Sequence, residues 1–276
     1  AKATNSPIIG EVGHSDDKTM LITKMGNRNV ISEQFRVIRT NLPYLIGKAN
    51  NPVIMVTSSV SGEGKSFISA NLAGVMAITG KKTVILEFDL RKPKIASNLK
   101  ALRKVGITNY LIGQASLEEL PQKVVDTENL YVISCGPIPP NPGELLLEAR
   151  LDDLFEYLRA NFEYVILDTA PVGLVSDALV LGRFADCCLY VVRQRYTLKR
   201  QMLNVDELFR LKKLPKMSLL VNDVKYGGSF GYYAYGGYGY GYGYGYGYGY
   251  GGYYTTTEKK PKKWQFWKKL GRRKNK

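Results

Sequence analysis

Residues that build metal cages and covalent staples are scarce in this chain. It has one histidine, His14, and three cysteines, Cys135, Cys187 and Cys188, with no C-x-x-C spacing among them. A Cys/His metal centre therefore has little basis, and a reducing compartment is expected rather than a secreted disulfide framework. No apolar run reaches the about 18 residues needed to cross a bilayer, and the opening residues lack a signal-peptide pattern. Acids are nearly missing from the C-terminal end. From Lys225 onward eleven Lys and Arg face the single acid Glu258, so this end carries +10 of the formal +15 and the first 224 residues carry +5. Charge this uneven is local, and no nucleic-acid partner is expected from it.

What is present suits one substantial domain with a tail: 276 residues, 45% of them hydrophobic. Short β-rich runs alternate with helical stretches. Strands are expected at Val53–Thr57, Thr83–Leu86, Leu130–Ser134, Tyr164–Leu167, Cys188–Val192 and Ser218–Val221. Helices are expected at 65–79, about 144–160, 176–184 and 198–213, and over 32–46 with Ser32 as N-cap. Strands apolar on both faces, separated by helices, predict an α/β fold with a doubly wound, mostly parallel sheet flanked by helices. The adjacent Cys187 and Cys188 then point to opposite faces of one strand.

The composition breaks after Asn222. Residues 226–254 hold thirteen tyrosines and thirteen glycines, largely in strict alternation. Glycine at this density makes ordering costly, so a flexible C-terminal tail is expected. Four segments follow: an N-terminal linker at 1–30, an α/β domain at 31–224, a Gly/Tyr-rich tail at 225–257 and a basic aromatic end at 258–276.

The segment Thr57-Ser58-Ser59-Val60-Ser61-Gly62-Glu63-Gly64-Lys65-Ser66 lies between a predicted strand and a predicted helix, the context a Walker A loop requires. Gly62 and Gly64 let the backbone wrap phosphates, Lys65 reaches the β/γ oxygens, and the Ser66 hydroxyl suits magnesium. The loop is a variant, because Ser59 stands where the full pattern has glycine. Ser61, Gly62, Glu63, Gly64, Lys65, Ser66, Phe67 and, on a later strand, Asn222 are the expected ATP-binding residues. Two acidic strand ends, Glu87-Phe88-Asp89 and Asp168, belong where parallel sheets bind ligands, beyond the carboxyl ends of the strands. Ser66, Asp89 and Asp168 are the expected magnesium holders.

These residues resemble the cytoplasmic domain of the bacterial tyrosine kinases that control capsule and exopolysaccharide synthesis. Gly62–Ser66 is similar to the family's Walker A, Glu87-Phe88-Asp89-Leu90-Arg91-Lys92-Pro93 to its second acidic motif, and Leu167-Asp168-Thr169-Ala170-Pro171 to its Walker B. Pro140-Asn141-Pro142-Gly143-Glu144-Leu145-Leu146, Ser176-Asp177-Ala178 and Glu33-Gln34-Phe35-Arg36-Val37-Ile38-Arg39 resemble further family segments, the last an E-x-x-R-x-x-R subunit contact. Related partitioning and division-site ATPases carry an extra lysine early in the loop, where this chain has Val60. The family usually has aspartate at the position of Glu87.

The resemblance implies a protein-tyrosine autokinase using ATP and Mg2+, with Lys65, Glu87 and Asp89 as catalytic residues. A tyrosine hydroxyl, with an ordinary pKa near ~10, needs a base; Glu87 fits that part, or that of a residue orienting magnesium. The acceptors would be Tyr232, Tyr233, Tyr235, Tyr238, Tyr240, Tyr242, Tyr244, Tyr246, Tyr248, Tyr250, Tyr253 and Tyr254, on the tail of a neighbouring subunit in a homo-oligomer joined through Glu33, Arg36 and Arg39. A transmembrane portion of the same polypeptide outside this sequence, a cognate tyrosine phosphatase, and a place on the cytoplasmic side of the bacterial inner membrane are also implied. From the residues alone, Glu33–Arg39 reads as a solvated stripe, as charge runs usually are, and Gly-Tyr alternation has a second reading as a self-associating segment. The basic end, with Trp264 and Trp267, suits an anionic membrane surface or plain solvation. The reading of a different class is a non-kinase P-loop ATPase switch with the tail as an interaction segment.

Overall fold

A computed structural model describes residues 4–17, 19–23, 29–102 and 104–225. The expected tail and basic end lie outside the described residues. Eight strands form one sheet: β1 (Ile8–Gly13), β2 (Val53–Ser58), β3 (Thr83–Phe88), β4 (Gln122–Lys123), β5 (Leu130–Ile133), β6 (Tyr164–Thr169), β7 (Cys187–Arg193) and β8 (Met217–Val224). Their order is β1-β8-β7-β2-β6-β3-β5-β4, and every pairing is parallel except β4 with β5.

Every position of β2 and β3 is buried, as the unbroken apolar runs require of strands covered on both faces. Side chains alternate strictly between the two layers of core. Ile54, Val56, Ile85, Ile166 and Cys187 lie on one face, and Val53, Met55, Leu86, Leu167 and Cys188 on the other. The adjacent cysteines thus part as expected.

The helices are α1 (Val30–Ile46), α2 (Lys65–Ala77), α3 (Ile95–Asn98), α4 (Ile107–Leu111), α5 (Pro142–Leu145), α6 (Arg150–Asn161), α7 (Asp177–Leu181) and α8 (Lys199–Arg210). On α1 the buried residues Ile31, Phe35, Ile38 and Leu42 recur at helical spacing. Its N-cap is Asn29, not Ser32: the Asn29 carboxamide accepts the Ser32 N–H at 2.7 Å. Asparagine caps as well as serine, and from Asn29 the helix gains its first turn at Val30. The stretch expected as one helix at 144–160 is two, α5 and α6. The short α3 and α4 and the two-residue β4 had no periodic signal long enough to read.

The segment expected as a linker is part of the domain. Ile8–Gly13 runs parallel to β8 as an edge strand. Beyond it, residues 20–23 lie along α2 and are fastened by Asn71. The Asn71 side chain accepts the amides of Ile22 at 2.7 Å and Thr23 at 3.0 Å and donates to the Met20 and Phe67 carbonyls. Gly74 leaves the room, since a Cβ there would stand 2.5 Å from the Thr23 hydroxyl. This layer makes α2 nearly all buried, which fits its apolar circumference. Among the described residues no helix is long and apolar enough to cross a membrane.

Candidate active site

Strand β2 lies between β7 and β6, with β3 next. The carboxyl ends of β2, β6 and β3 therefore gather the P-loop, Asp168 and Glu87–Asp89 at one rim. Cross-strand bonds fix the ends: Thr57 Oγ1 donates to the Ala170 carbonyl at 3.1 Å, and Thr169 Oγ1 to the Val56 carbonyl at 3.0 Å.

Gly62 and Gly64 both take left-handed backbone, at φ +92° and +97°. That conformation is open to glycine at little cost. At Gly64 space is also decisive, because a Cβ would meet the Asn222 side-chain nitrogen at 2.0 Å. Helix α2 starts immediately afterwards, so the first amides of α2, which have no acceptor within the helix, face the rim with the positive end of the helix dipole.

Asp168 is the joint between loop and sheet. It is buried, with Ser66 Oγ donating to one carboxylate oxygen at 2.8 Å and Ser69 Oγ to the other at 3.0 Å. Burial raises its carboxyl to about 6, against the opposing pull of Lys65 and the two hydroxyls; the charge of Asp89 adds to the rise. Lys65 is itself buried. Asp89 is half-buried at the end of β3 and accepts the Lys92 N–H at 3.0 Å.

Glu87 is fully buried and occupied. Its Oε1 accepts the amides of Ile95 at 2.6 Å and Ala96 at 3.4 Å, at the start of α3, and its Oε2 accepts the Cys135 amide at 3.3 Å. Arg91, two residues beyond Asp89, reaches buried Asp177 at 3.4 Å, joining two of the sequence segments singled out above. Phe67 turns its ring toward Phe35, 6.0 Å between centroids, so what it offers at the phosphate end is its amide.

A bracing layer surrounds the loop, and two of its members, Glu63 and Asn222, were expected only as ATP-binding residues. Glu63, fully buried, accepts the Val60 amide at 2.8 Å and the Thr197 hydroxyl. The Tyr196 hydroxyl donates to the Ser61 carbonyl at 3.0 Å, Arg193 to the Gly62 carbonyl at 2.9 Å, and Asn222 to the Glu63 carbonyl at 2.9 Å. Ser59, in place of the usual glycine, meets the Tyr190 hydroxyl at 3.0 Å, and burial pushes that phenol well up. Ser69 had a findable signal, one helical turn after Ser66. Arg193, Tyr196 and Thr197 offered only their position after a strand's carboxyl end.

On α1, Glu33 pairs with Arg36, and Arg39 donates to the Val75 carbonyl of α2 at 2.9 Å. Among the described residues no group of three His, Cys, Asp or Glu side chains forms a metal cage. Ser66, Asp89 and Asp168 are hard oxygen donors, and magnesium is usually held by one or two carboxylates plus phosphate and water. The donor set fits that ion.

Residues 54–230 match the CobQ/CobB/MinD/ParA nucleotide binding domain. The chain is 36% identical over 208 residues to tyrosine-protein kinase YwqD of Bacillus subtilis (strain 168), covering 75% of this chain and 87% of that protein. It is 34% identical over 179 residues to a putative tyrosine-protein kinase in the cps region of Klebsiella pneumoniae, covering 65% of this chain and 24% of that longer protein. The crystal structure of the chimerical protein CapA2B2 superposes with a TM-score of 0.72 at 31% identity, over 79% of this chain and 95% of that one.

Proposed function

Because the chain belongs to the bacterial tyrosine-protein kinases, built on the CobQ/CobB/MinD/ParA nucleotide binding domain, we propose that it moves the γ-phosphoryl of ATP onto tyrosines of its own Gly/Tyr tail. The observation that carries this reading is the 2.8 Å bond joining Ser66 of the P-loop to Asp168. It brings a hydroxyl and a carboxylate together where the first amides of α2 and Lys65 meet the phosphates. Phosphoryl transfer demands alignment and charge neutralisation more than covalent chemistry.

The amides at Ser61–Phe67 hold the phosphates, and Lys65 neutralises the charge that develops on transfer. Ser66, Asp168 and Asp89 would hold magnesium, which when bound supplies further positive charge to the phosphates. For the base that takes the tyrosine proton, the geometry favours Asp89 over Glu87. Glu87 would have to surrender three amides to act, whereas Asp89 is half-buried at the rim. Glu87 instead sets the path of the chain after β3.

Alternating glycine leaves each tail ring unhindered. The 29 residues from 226 to 254 reach roughly 95 Å when extended, far enough to enter a neighbouring subunit. Assembly through Glu33, Arg36 and Arg39, a place on the cytoplasmic face of the inner membrane, and control of capsule or exopolysaccharide synthesis complete the reading. A tyrosine phosphatase would reset the tail.

Intact mass spectrometry before and after Mg-ATP tests it. Stepwise phosphoryl gains, mapped to residues 226–254 and missing in Lys65→Met, are the expected result. ATP hydrolysed with no gain in mass would replace autokinase by a nucleotide switch.

A further inference from the structure

The single histidine of the chain lies one residue beyond β1, and hydrogen bonds connect it to the phosphate loop. His14 Nδ1 pairs with the Asp223 carboxylate, whose other oxygen accepts Arg193 Nε at 2.9 Å and Nη2 at 2.8 Å. Arg193 Nη1 continues to the Gly62 carbonyl at 2.9 Å, and its guanidinium lies 5.1 Å from the Tyr196 ring, whose hydroxyl holds Ser61.

The backbone is shaped to make this connection. Between the pairs Glu11–Val221 and Gly13–Val224, β8 advances three residues while β1 advances two, which is a one-residue bulge. Within it Asp223 adopts φ +58°, left-handed backbone that is uncommon outside glycine. Bulges re-aim side chains, and this one turns Asp223 between His14 and Arg193. Burial works to raise the Asp223 carboxyl, but the bonds from His14 and Arg193 outweigh it and hold the group below the usual range.

We propose that His14 and Asp223 are positioning residues for the nucleotide: they fix Arg193, and through it the Gly62 carbonyl, in the loop conformation that binds phosphate. The inference rests on the P-loop assignment and is independent of which residue accepts the phosphoryl group. His14 faces Asp16 at 3.2 Å on its own segment and Asp223 on β8, while Arg195 and Lys225 share a cavity of about 200 Å³ with Arg193 and Asp223. The Asp223 carboxylate gives Arg193 a charged partner, and His14 holds that carboxylate by its other oxygen.

The test is calorimetric titration of the full chain with Mg-ADP. His14→Ala removes the bond to Asp223 and is expected to raise the Kd about two- to fivefold, the scale of a partly exposed charged bond, whereas His14→Gln, which keeps a donor, should bind close to the wild type. Asp223→Asn should bind about fivefold or more weakly, because Arg193 loses its charged partner. His14→Ala or Asp223→Asn binding as tightly as the wild type, or His14→Gln binding as weakly as His14→Ala, overturns the proposal. Failure of every form to bind Mg-ADP would overturn the P-loop reading with it.

Discussion

Ser66 Oγ and Asp168 Oδ2 are 2.8 Å apart, so the first hydroxyl after the loop lysine and the carboxylate on β6 share a hydrogen bond. Asp168 sits in the interior as the acceptor of two hydroxyls, beside Lys65.

Lys65→Met removes this charge at similar volume. Tail phosphorylation is expected to drop by a factor of about 100 or more, the scale of losing one electrostatic contact to a transition state. Circular dichroism should remain that of the wild type. Retention of most of the phosphotyrosine would remove Lys65 from the chemistry.

Asp168→Asn tests the same joint from the other side. Burial opposes the native carboxylate, so the amide variant should melt a few degrees higher without nucleotide. Its phosphotransfer should be lost. A variant that melts lower and still transfers phosphate would contradict both statements.

Glu87→Gln places an amide NH2 among three backbone N–H donors. It is expected to lower stability by about 1–3 kcal/mol, the cost of leaving a buried donor unpaired. Thermal melting measures this, and phosphotransfer should survive in part. Normal melting with abolished transfer would make Glu87 the base after all.

Arg36→Ala combined with Arg39→Ala removes the Glu33–Arg36 ion pair and the bond from Arg39 to the Val75 carbonyl. The fold should lose no more than about 1–2 kcal/mol. Light scattering should show a shift toward monomer. An unchanged mass for the unphosphorylated protein would leave these residues as a local brace.

The thiols give a pH prediction. All three cysteines are buried, and burial pushes Cys187 up to about 12 and raises Cys188 as well. Between about pH 9 and 12 the unfolded chain gives up thiol protons that the native chain keeps, so stability falls as pH rises through that window. At about pH 8.5, near the ordinary thiol pKa, alkylation followed by mass should be slow for the native protein and fast in urea. Rapid native labelling would mean the sheet opens at β7.

The sequence made the centre of this site legible because its signals are local. A strand, two glycines, a lysine, a serine and a helix occupy one continuous stretch, and Asp168 ends a plainly apolar run. Arg193 and Thr197 were not legible, since they act on residues more than a hundred positions earlier, and Asn222, expected to bind ATP, gave no sign that it would brace the Glu63 carbonyl. Glu87 read as chemistry because strand-end acids often are; only three-dimensional packing showed its oxygens engaged. Ile8–Gly13 carries no strand signal of its own, being short and holding two glycines. The edge of β8 makes it one.

That pairing orders events during synthesis. Among the described residues the earliest strand, β1, finds its partner only in the latest, β8. A ribosome-bound chain completes its P-loop long before Arg193, Asn222 and β8 emerge, so the loop waits unbraced and β1 waits with an open edge. Long-range closures of this kind are slow, and open edges invite the wrong neighbour. A chain terminated before Met217 would thus carry every phosphate-binding residue of 61–67 and still lack the scaffold that shapes them. Kinase activity consequently arrives with the end of translation of this domain.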